Sequence, residues 1–257
     1  GQAVSEPELA GMMLALQHSK TAREAIEKVV YYATEYGYKS GGESLSIADE
    51  NEVWLMEIIG RGPGVNGILW VAARVPDGYI TAHANNSRIR EFPMDDPDNW
   101  LFAPDVVDFA VEKGYYDPDS GEPFSWRDAY HPNIGVVSKR VCAARVWSVY
   151  RRCAPSANFS ADYHRGVEGT EDYPLFIKPD EKLSARDVMF LMRDHYEGTP
   201  YDMSKGIDAG PFGSPYRFRG LTWQVGDETY CWERPISSQQ AGFVMVAQLR
   251  NWLPDPV

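Results

Sequence analysis

The apolar and polar positions of residues 43–89 alternate in the manner of a small β-sheet. Four short apolar-rich segments occupy residues 43–49, 53–59, 68–75 and 79–89, and turn residues separate them at hairpin spacing. Short apolar runs bounded by Gly, Pro, Asp and Asn are typical of antiparallel strands. We therefore predict an antiparallel meander whose last strand covers residues 79–89.

Helical patterns lie on both sides of this meander. Ser5 and Thr21 are each followed three residues later by Glu, and each precedes an apolar run with helical spacing, which is the capping-box signature. Further helices are predicted over residues 104–114, 139–152 and 183–195. A hairpin over 221–233 and a strand over 242–249 complete the predicted elements. Helices before and after an antiparallel sheet predict an α+β layered domain.

Composition narrows the classes of partner. The chain has 257 residues and a formal net charge of −12, which argues against nucleic acid or an anionic membrane as a partner. It contains no apolar run of bilayer length and no signal-peptide pattern in its first residues. We expect a soluble protein, and the sequence leaves open whether it is cytoplasmic or exported.

Polar groups crowd the end of the last predicted strand. His83, Asn85, Asn86, Ser87 and Arg88 fall within six positions, and buried polar groups need partners, so we predict a site there. His83 fits either a base or ligand, or a satisfied core histidine. The Asn85-Asn86 pair fits either a turn or an amide that donates to an oxyanion.

Arg145 lies in a mostly apolar helical stretch, residues 142–147. A buried Arg either closes a structural ion pair or holds an anionic group, and both alternatives remain open from the residues alone. Cys142, Cys153 and Cys231 show no metal-type spacing, so we interpret them as buried structural thiols. The alternative interpretation is a disulfide between two of them.

Many short motifs, in order along nearly the whole chain, together resemble the dipeptidase A/secernin family. They are ESLSIAD (43–49), residues 54–58, RVPDG (74–78), HANNSRI (83–89), residues 145–147, RDHYEGTP (193–200), residues 210–213 and SSQQ (237–240). The resemblance implies an N-terminal-nucleophile hydrolase fold, an αββα four-layer sandwich of two antiparallel sheets between helices. It implies a cysteine-type dipeptidase, in which an N-terminal Cys attacks the amide. The α-amino group of that Cys, with a pKa of about 8, acts as the base, and neither a metal nor an organic cofactor is required.

The resemblance also assigns residues. Alignment with the wider relatives, the bile-salt hydrolases and penicillin V acylases, implies that Asn85 binds the oxyanion or the substrate backbone. It places Arg145 near the nucleophile, where it favours the thiolate or holds a substrate carboxylate. Asn86, His83 and Arg88 are predicted to bind the peptide substrate, with His83 and Arg88 also as supporting structure.

One departure from the family pattern qualifies these assignments. The chain starts at Gly1, and no internal cysteine has a free α-amine. We therefore expect residues 1–257 to be the central part of a single dipeptidase domain, incomplete at both ends, with its nucleophile upstream and no activity alone. The alternatives are an acylase on a non-peptide amide and a non-catalytic, secernin-like binding protein. A homo-oligomer, or pairing with the missing N-terminal segment, also remains open.

Overall fold

The structure is a computed structural model, and its chain divides into two compact units. It describes residues 6–132, 134–206, 209–216, 222–239 and 241–253, with the side chains of residues 6–10 excepted. The first unit contains the described residues within 1–76, 87–132 and 249–257. The second unit contains those within 77–86 and 133–248.

The first unit is built on a four-stranded antiparallel sheet with helices before and after it. Its helices are α1 (Glu6–Gln17), α2 (Ala22–Tyr36), α3 (Val106–Glu112) and α4 (Trp126–Tyr130), with a 3₁₀ turn at Pro118–Ser120. Its strands are β1 (Glu43–Ala48), β2 (Val53–Gly60), β3 (Ile68–Arg74) and β4 (Trp100–Phe102), in the spatial order β1-β2-β3-β4.

Helix α2 begins and ends where its sequence indicates. The Thr21 side chain accepts a hydrogen bond from the backbone N–H of Glu24 at 3.2 Å, and the helix stops at Gly37, whose φ is 88°. Between these ends, the buried positions Ala22, Ile26, Val29 and Ala33 recur at helical spacing. They pack with Trp54, Met56 and Ile58 of β2 in one apolar cluster.

Successive side chains of β2 point to opposite faces of the sheet, and both faces are buried. Trp54, Met56 and Ile58 face α2, so Leu55 and Glu57 face the other way. The register pairs Glu57 with Val71 of β3. The sheet therefore carries a carboxylate that is 2% exposed in the middle of its second strand.

The second unit is mainly helical, with one hairpin. Its helices are α5 (Val136–Ser138), α6 (Ala144–Cys153), α7 (Asp162–Arg165) and α8 (Ala185–Leu191), and a π-helical turn (Lys139–Ala143) joins α5 to α6. Strands β5 (Thr222–Val225) and β6 (Glu228–Cys231) form the hairpin, and 3₁₀ turns lie at Pro155–Ala157 and Pro211–Gly213. Its apolar core contains Trp147 and four tyrosines, Tyr150, Tyr163, Tyr173 and Tyr196.

The predicted mixture of helices with an antiparallel sheet is confirmed. The prediction of a strand over residues 79–89 is wrong, because only Ile80 forms a bridge, to Ile177, and the fourth strand is Trp100–Phe102. The backbone N–H groups of Arg88 and Ile89 donate to the Glu57 carboxylate instead of to a neighbouring strand.

Two further predictions need correction, and one falls outside the described residues. Residues 242–249 form no strand, and their apolar side chains Phe243, Val244 and Met245 are exposed. Helix α8 ends at Leu191, four residues before the predicted end. The predicted cap at Ser5 is not among the described residues. None of the helices within the described ranges is long and apolar enough to span a bilayer.

Candidate functional site

Asn85 and Asn86 lie on a bend of the second unit, where the backbone takes an unusual conformation. Asn85 has a φ of 58°, in the left-handed region that Asn tolerates better than most residues. Its side chain is exposed, whereas Asn86 is buried. The side-chain oxygen of Asn86 accepts a hydrogen bond from the Ser138 hydroxyl at 2.8 Å. This bond fixes the bend to the helical segment that begins with α5.

Arg145 meets this bend from the first turn of α6, directly after the π-helical turn. Its Nε donates to the carbonyl of Val141 at 2.7 Å, which holds the side chain along its own helix. Its Nη2 donates to the side-chain oxygen of Asn85 at 2.7 Å and, more weakly, to the carbonyl of Ala84 at 3.4 Å. The structure thus brings together the two residues predicted to be catalytic.

In the part of the chain that the structure describes, Arg145 forms no ion pair, and its oxygen partners are all neutral. Burial lowers the pKa of Arg145, and the Arg234 guanidinium lowers that pKa further, while Cys142 and Tyr196 raise it. A structural ion pair, one of the two alternatives for this arginine, is therefore not formed among these residues.

Tyr196 is a second residue near Arg145 with a left-handed backbone. Its φ is 64°, which is uncommon for a bulky side chain, and the residue is fully buried. Its hydroxyl donates to the backbone carbonyl of Arg234 at 2.6 Å. Burial raises the pKa of Tyr196 well above its usual value, whereas the charge of Arg145 lowers it. Strained backbone of this kind is maintained only when surrounding contacts fix it.

A charge network anchored on α6 holds the residues on either side of Tyr196. The carboxylate of Asp194, whose side chain is fully buried, accepts from the Ser148 hydroxyl at 2.6 Å and pairs with Arg152. Arg151 approaches the same carboxylate at 3.5 Å and the carbonyl of Glu197 at 3.4 Å. Sequence analysis did not single out Asp194 or Tyr196 as functional residues. The signal was present, since both lie within the motif at residues 193–200.

The remaining predicted site residues divide between the two units. His83 is half-buried and lies in the second unit, two residues before Asn85. Arg88 is buried and belongs to the first unit, where its backbone N–H donates to Glu57 at 2.6 Å. The substrate-binding roles of Asn86, His83 and Arg88 stay predictions.

Glu57 organises residues 87–89 of the first unit. One carboxylate oxygen accepts the backbone N–H groups of Arg88, at 2.6 Å, and of Ile89, at 3.3 Å. The other oxygen accepts from the Ser87 hydroxyl at 2.5 Å and from the indole N–H of Trp126 at 2.9 Å. Burial raises the pKa of Glu57, and the four hydrogen bonds oppose that rise. Four donors on one carboxylate define the conformation of this segment.

The cysteines are all free thiols, and the structure forms no disulfide among them. Cys142 and Cys153 are buried, and Cys231 is half-buried. Burial raises the pKa of Cys153 to about 11, so this thiol is not ionised near neutral pH. Within the described ranges, no group of three or more His, Cys, Asp or Glu side chains is arranged to hold a metal ion.

Comparison with known sequences identifies the class of protein. The chain belongs to peptidase family C69, whose sequence model matches residues 3–257. The family predicted from the sequence motifs is therefore confirmed.

Curated relatives give this class a more specific context. A protein of Latilactobacillus sakei named "Probable dipeptidase" is 28% identical over 244 residues, which cover 95% of this chain and 44% of the relative. "Dipeptidase" of Bifidobacterium longum (strain NCC 2705) is 28% identical, and the match covers 97% of this chain and 44% of the relative. "Dipeptidase A" of Lactobacillus helveticus is 25% identical, and the match covers 94% of this chain and 44% of the relative. The chain thus spans about 44% of the length of each of these relatives.

Proposed function

We propose that this chain forms part of an enzyme that hydrolyses the amide bond of dipeptides, and that Asn85 and Arg145 act at its site. Membership of peptidase family C69 and the names of the relatives support the reaction class. The contact between Asn85 and Arg145 supports the assignment of residues.

The hydrogen bond from Arg145 to Asn85 is the observation that carries this proposal. A guanidinium has only donors, so the atom that accepts its bond must be the amide oxygen of Asn85. The amide nitrogen is then the end of the Asn85 side chain that remains available to a substrate. A preorganised N–H donor of this kind stabilises the oxyanion that forms during amide hydrolysis. Arg145 therefore determines which end of the Asn85 amide faces the reaction.

For the nucleophile, we propose a cysteine whose own α-amino group acts as the general base. The thiol proton passes to the amine, the sulfur attacks the scissile carbonyl, and the C–N bond breaks as the proton is delivered to the leaving amine. Water then hydrolyses the thioester. Cys142, Cys153 and Cys231 do not fit this role, because their α-nitrogens are amides within the chain.

The same proposal extends to the fold and to substrate binding. An αββα arrangement of two sheets between helices is supported by β2, which is buried on both faces. Asn86 lies next to Asn85 and is fixed by Ser138, so a peptide bound at Asn85 passes close to it. His83, in the same unit as Asn85, completes the proposed substrate-binding residues of that unit, and the role of Arg88 stays a separate prediction from the sequence.

The test uses protein expressed from the complete coding sequence, a panel of dipeptides and N-acyl amides, and a readout of released amine. Asn85→Gly keeps the left-handed backbone but removes the amide. We expect kcat to fall by about 10²- to 10³-fold, with a smaller change in KM. Asn158→Gly is the matched control, because Asn158 is an exposed Asn with a φ of 47° in the same unit.

Three results would count against the proposal. Hydrolysis of N-acyl amides without hydrolysis of dipeptides would favour an acylase. An absence of turnover on the whole panel would favour the non-catalytic alternative. Equal activity of Asn85→Gly and Asn158→Gly would remove Asn85 from the mechanism.

A further inference from the structure

A cavity of about 380 Å³ lies in the first unit, between α1, α2 and the first two strands. Gly11, Met12 and Leu14 of α1 form one wall, and residues of α2 and of the turn after it form the next. Glu43 of β1 and Ile58 of β2 lie on the sheet side, where the register pairs them. Small-molecule sites in proteins usually have volumes of about 300–1,000 Å³. The cavity therefore has the size of a site for a small ligand.

The space at the α1 wall depends on Gly11, which has no side chain. A Cβ atom added at this position would lie 3.9 Å from the Cβ atom of Tyr32, which is an ordinary van der Waals distance. A larger residue at position 11 therefore has room for its Cβ atom, and its side chain would occupy part of the cavity. The cavity can thus be filled by a single substitution.

Three tyrosines form the aromatic part of the lining, namely Tyr32, Tyr36 and Tyr38. Tyr32 and Tyr36 lie one turn apart on α2, and their rings stack with centroids 6.1 Å apart and an interplanar angle of 25°. The Tyr32 hydroxyl lies 2.6 Å from Nδ1 of His18, and this hydrogen bond fixes the ring. The faces of such rings carry partial negative charge and attract cations. The aromatic part of the lining is therefore suited to a positively charged group.

Glu43 gives the cavity its charge. Among the described residues that line the cavity, Glu43 is the one that is charged at neutral pH, and it is half-buried. A carboxylate has about four acceptor sites, so Glu43 can accept hydrogen bonds from a ligand in addition to any that it accepts within the protein. The other lining residues, apart from the tyrosines, are aliphatic residues, Met and Gly. A cation with an apolar body is the chemical complement of this lining.

We propose that this cavity binds a small organic amine in its protonated form. The ammonium group binds to Glu43 and the tyrosine rings, and the apolar body packs against the aliphatic residues of α1 and α2. Charge-assisted hydrogen bonds to the carboxylate and the attraction between a cation and an aromatic face act together on such a ligand. The inference does not rest on the proposed function, because Asn85 and Arg145 belong to the second unit.

The experiment is calorimetry on protein expressed from the complete coding sequence, with ligands that share a shape and differ in charge. The ligands are phenethylamine, the neutral phenethyl alcohol and the anionic hydrocinnamate. Wild-type protein should bind the amine about tenfold or more tightly than the alcohol, and it should not bind the anion. Glu43→Gln should reduce the affinity for the amine to that for the alcohol, because it removes the charge and keeps the size of the side chain.

Two variants test whether binding takes place in this cavity. Gly11→Leu should weaken the binding of both the amine and the alcohol by about tenfold, because the new side chain fills the space. Tyr36→Leu should weaken the binding of the amine more than that of the alcohol, because it removes an aromatic face. Tyr36 is 68% exposed, so this variant should fold even if Gly11→Leu does not.

Glu27→Gln is the matched control, since Glu27 is exposed on α2 and does not line the cavity. The substitution removes the same charge as Glu43→Gln and should leave all the affinities unchanged. Melting temperatures of the variants establish that they are folded.

Equal affinities of wild-type protein for the amine and the alcohol would overturn the inference, and so would full retention of the amine preference in Glu43→Gln. No binding of phenethylamine at about 10 mM would overturn it as well. Unchanged binding in folded Gly11→Leu or Tyr36→Leu would overturn the assignment to this cavity. Failure of the proposed function has a different signature, namely no turnover of any dipeptide, and leaves these binding results unaffected.

Discussion

The buried imidazole of His164 predicts a loss of stability in mild acid. His164 is fully buried, and its ring packs against Trp147, with centroids 4.9 Å apart, and against Tyr201, at 5.3 Å. Its Nδ1 lies 3.0 Å from the hydroxyl of Tyr173, which itself donates to the carbonyl of Ser160 at 2.9 Å. The hydroxyl proton is thus committed to Ser160, and we assign the proton of the neutral imidazole to Nδ1.

The size of the effect follows from the pKa of this imidazole. Burial, together with the charges of Arg140 and Arg165, lowers the pKa of His164 from 6.5 to about 4. Between these two values the unfolded chain binds a proton that the folded chain does not, so stability falls as the pH falls. The contribution of His164 is complete above pH 6.5 and is lost as the pH approaches 4. The loss amounts to about 3 kcal/mol.

The assay is urea unfolding, followed by tryptophan fluorescence, of wild type and His164→Phe at several pH values between 7.5 and 4. His164→Phe keeps an aromatic ring but cannot titrate, so the difference in unfolding free energy between the two proteins isolates the imidazole. We expect wild type to lose about 3 kcal/mol relative to the variant over this range. His18→Phe is the control, because His18 is exposed. A difference between wild type and His164→Phe that is independent of pH would refute the argument.

Two further predictions concern the first unit. Glu57→Leu removes the carboxylate that accepts hydrogen bonds from two backbone N–H groups and from the Trp126 indole. We therefore expect the free energy of unfolding in urea to fall by on the order of 3 kcal/mol. A loss below about 1 kcal/mol would mean that water satisfies these donors. Thr21→Ala removes the cap of α2 and should cost about 1 kcal/mol. Thr34→Ala is its control, because the Thr34 hydroxyl bonds the Val30 carbonyl within the same helix, and its loss should be neutral or slightly stabilising.

The sequence predicts local elements well where the physical signal is local. The cap at Thr21 and the predicted hairpin, which the structure forms between Thr222–Val225 and Glu228–Cys231, each depend on residues close together in the chain. The helix predicted over residues 183–195 begins at a capping box between Ser184 and Asp187. These features follow from side-chain hydrogen bonds and backbone preferences that a short window of sequence contains.

Prediction from the sequence fails where the hydrogen-bonding partner of a segment is distant along the chain. Residues 79–89 have a strand-like composition, yet Glu57, about 30 positions earlier, takes the hydrogen bonds that a neighbouring strand would need. A Glu within an apolar strand pattern signals a buried carboxylate but does not reveal which donors it will accept.

The polar cluster at residues 83–88 shows why proximity in sequence does not define a site. Asn85 and Asn86 belong to the second unit and are held there by Arg145 and Ser138. Ser87 and Arg88 belong to the first unit, and their hydroxyl and backbone N–H groups are held by Glu57. The partners differ in what they leave available. Among the described residues, the bond from Arg145 occupies the amide oxygen of Asn85 and leaves its N–H donors available, whereas the hydroxyl of Ser87 is committed to the carboxylate. A candidate site is therefore better defined by the hydrogen-bonding groups that remain available than by the number of polar residues.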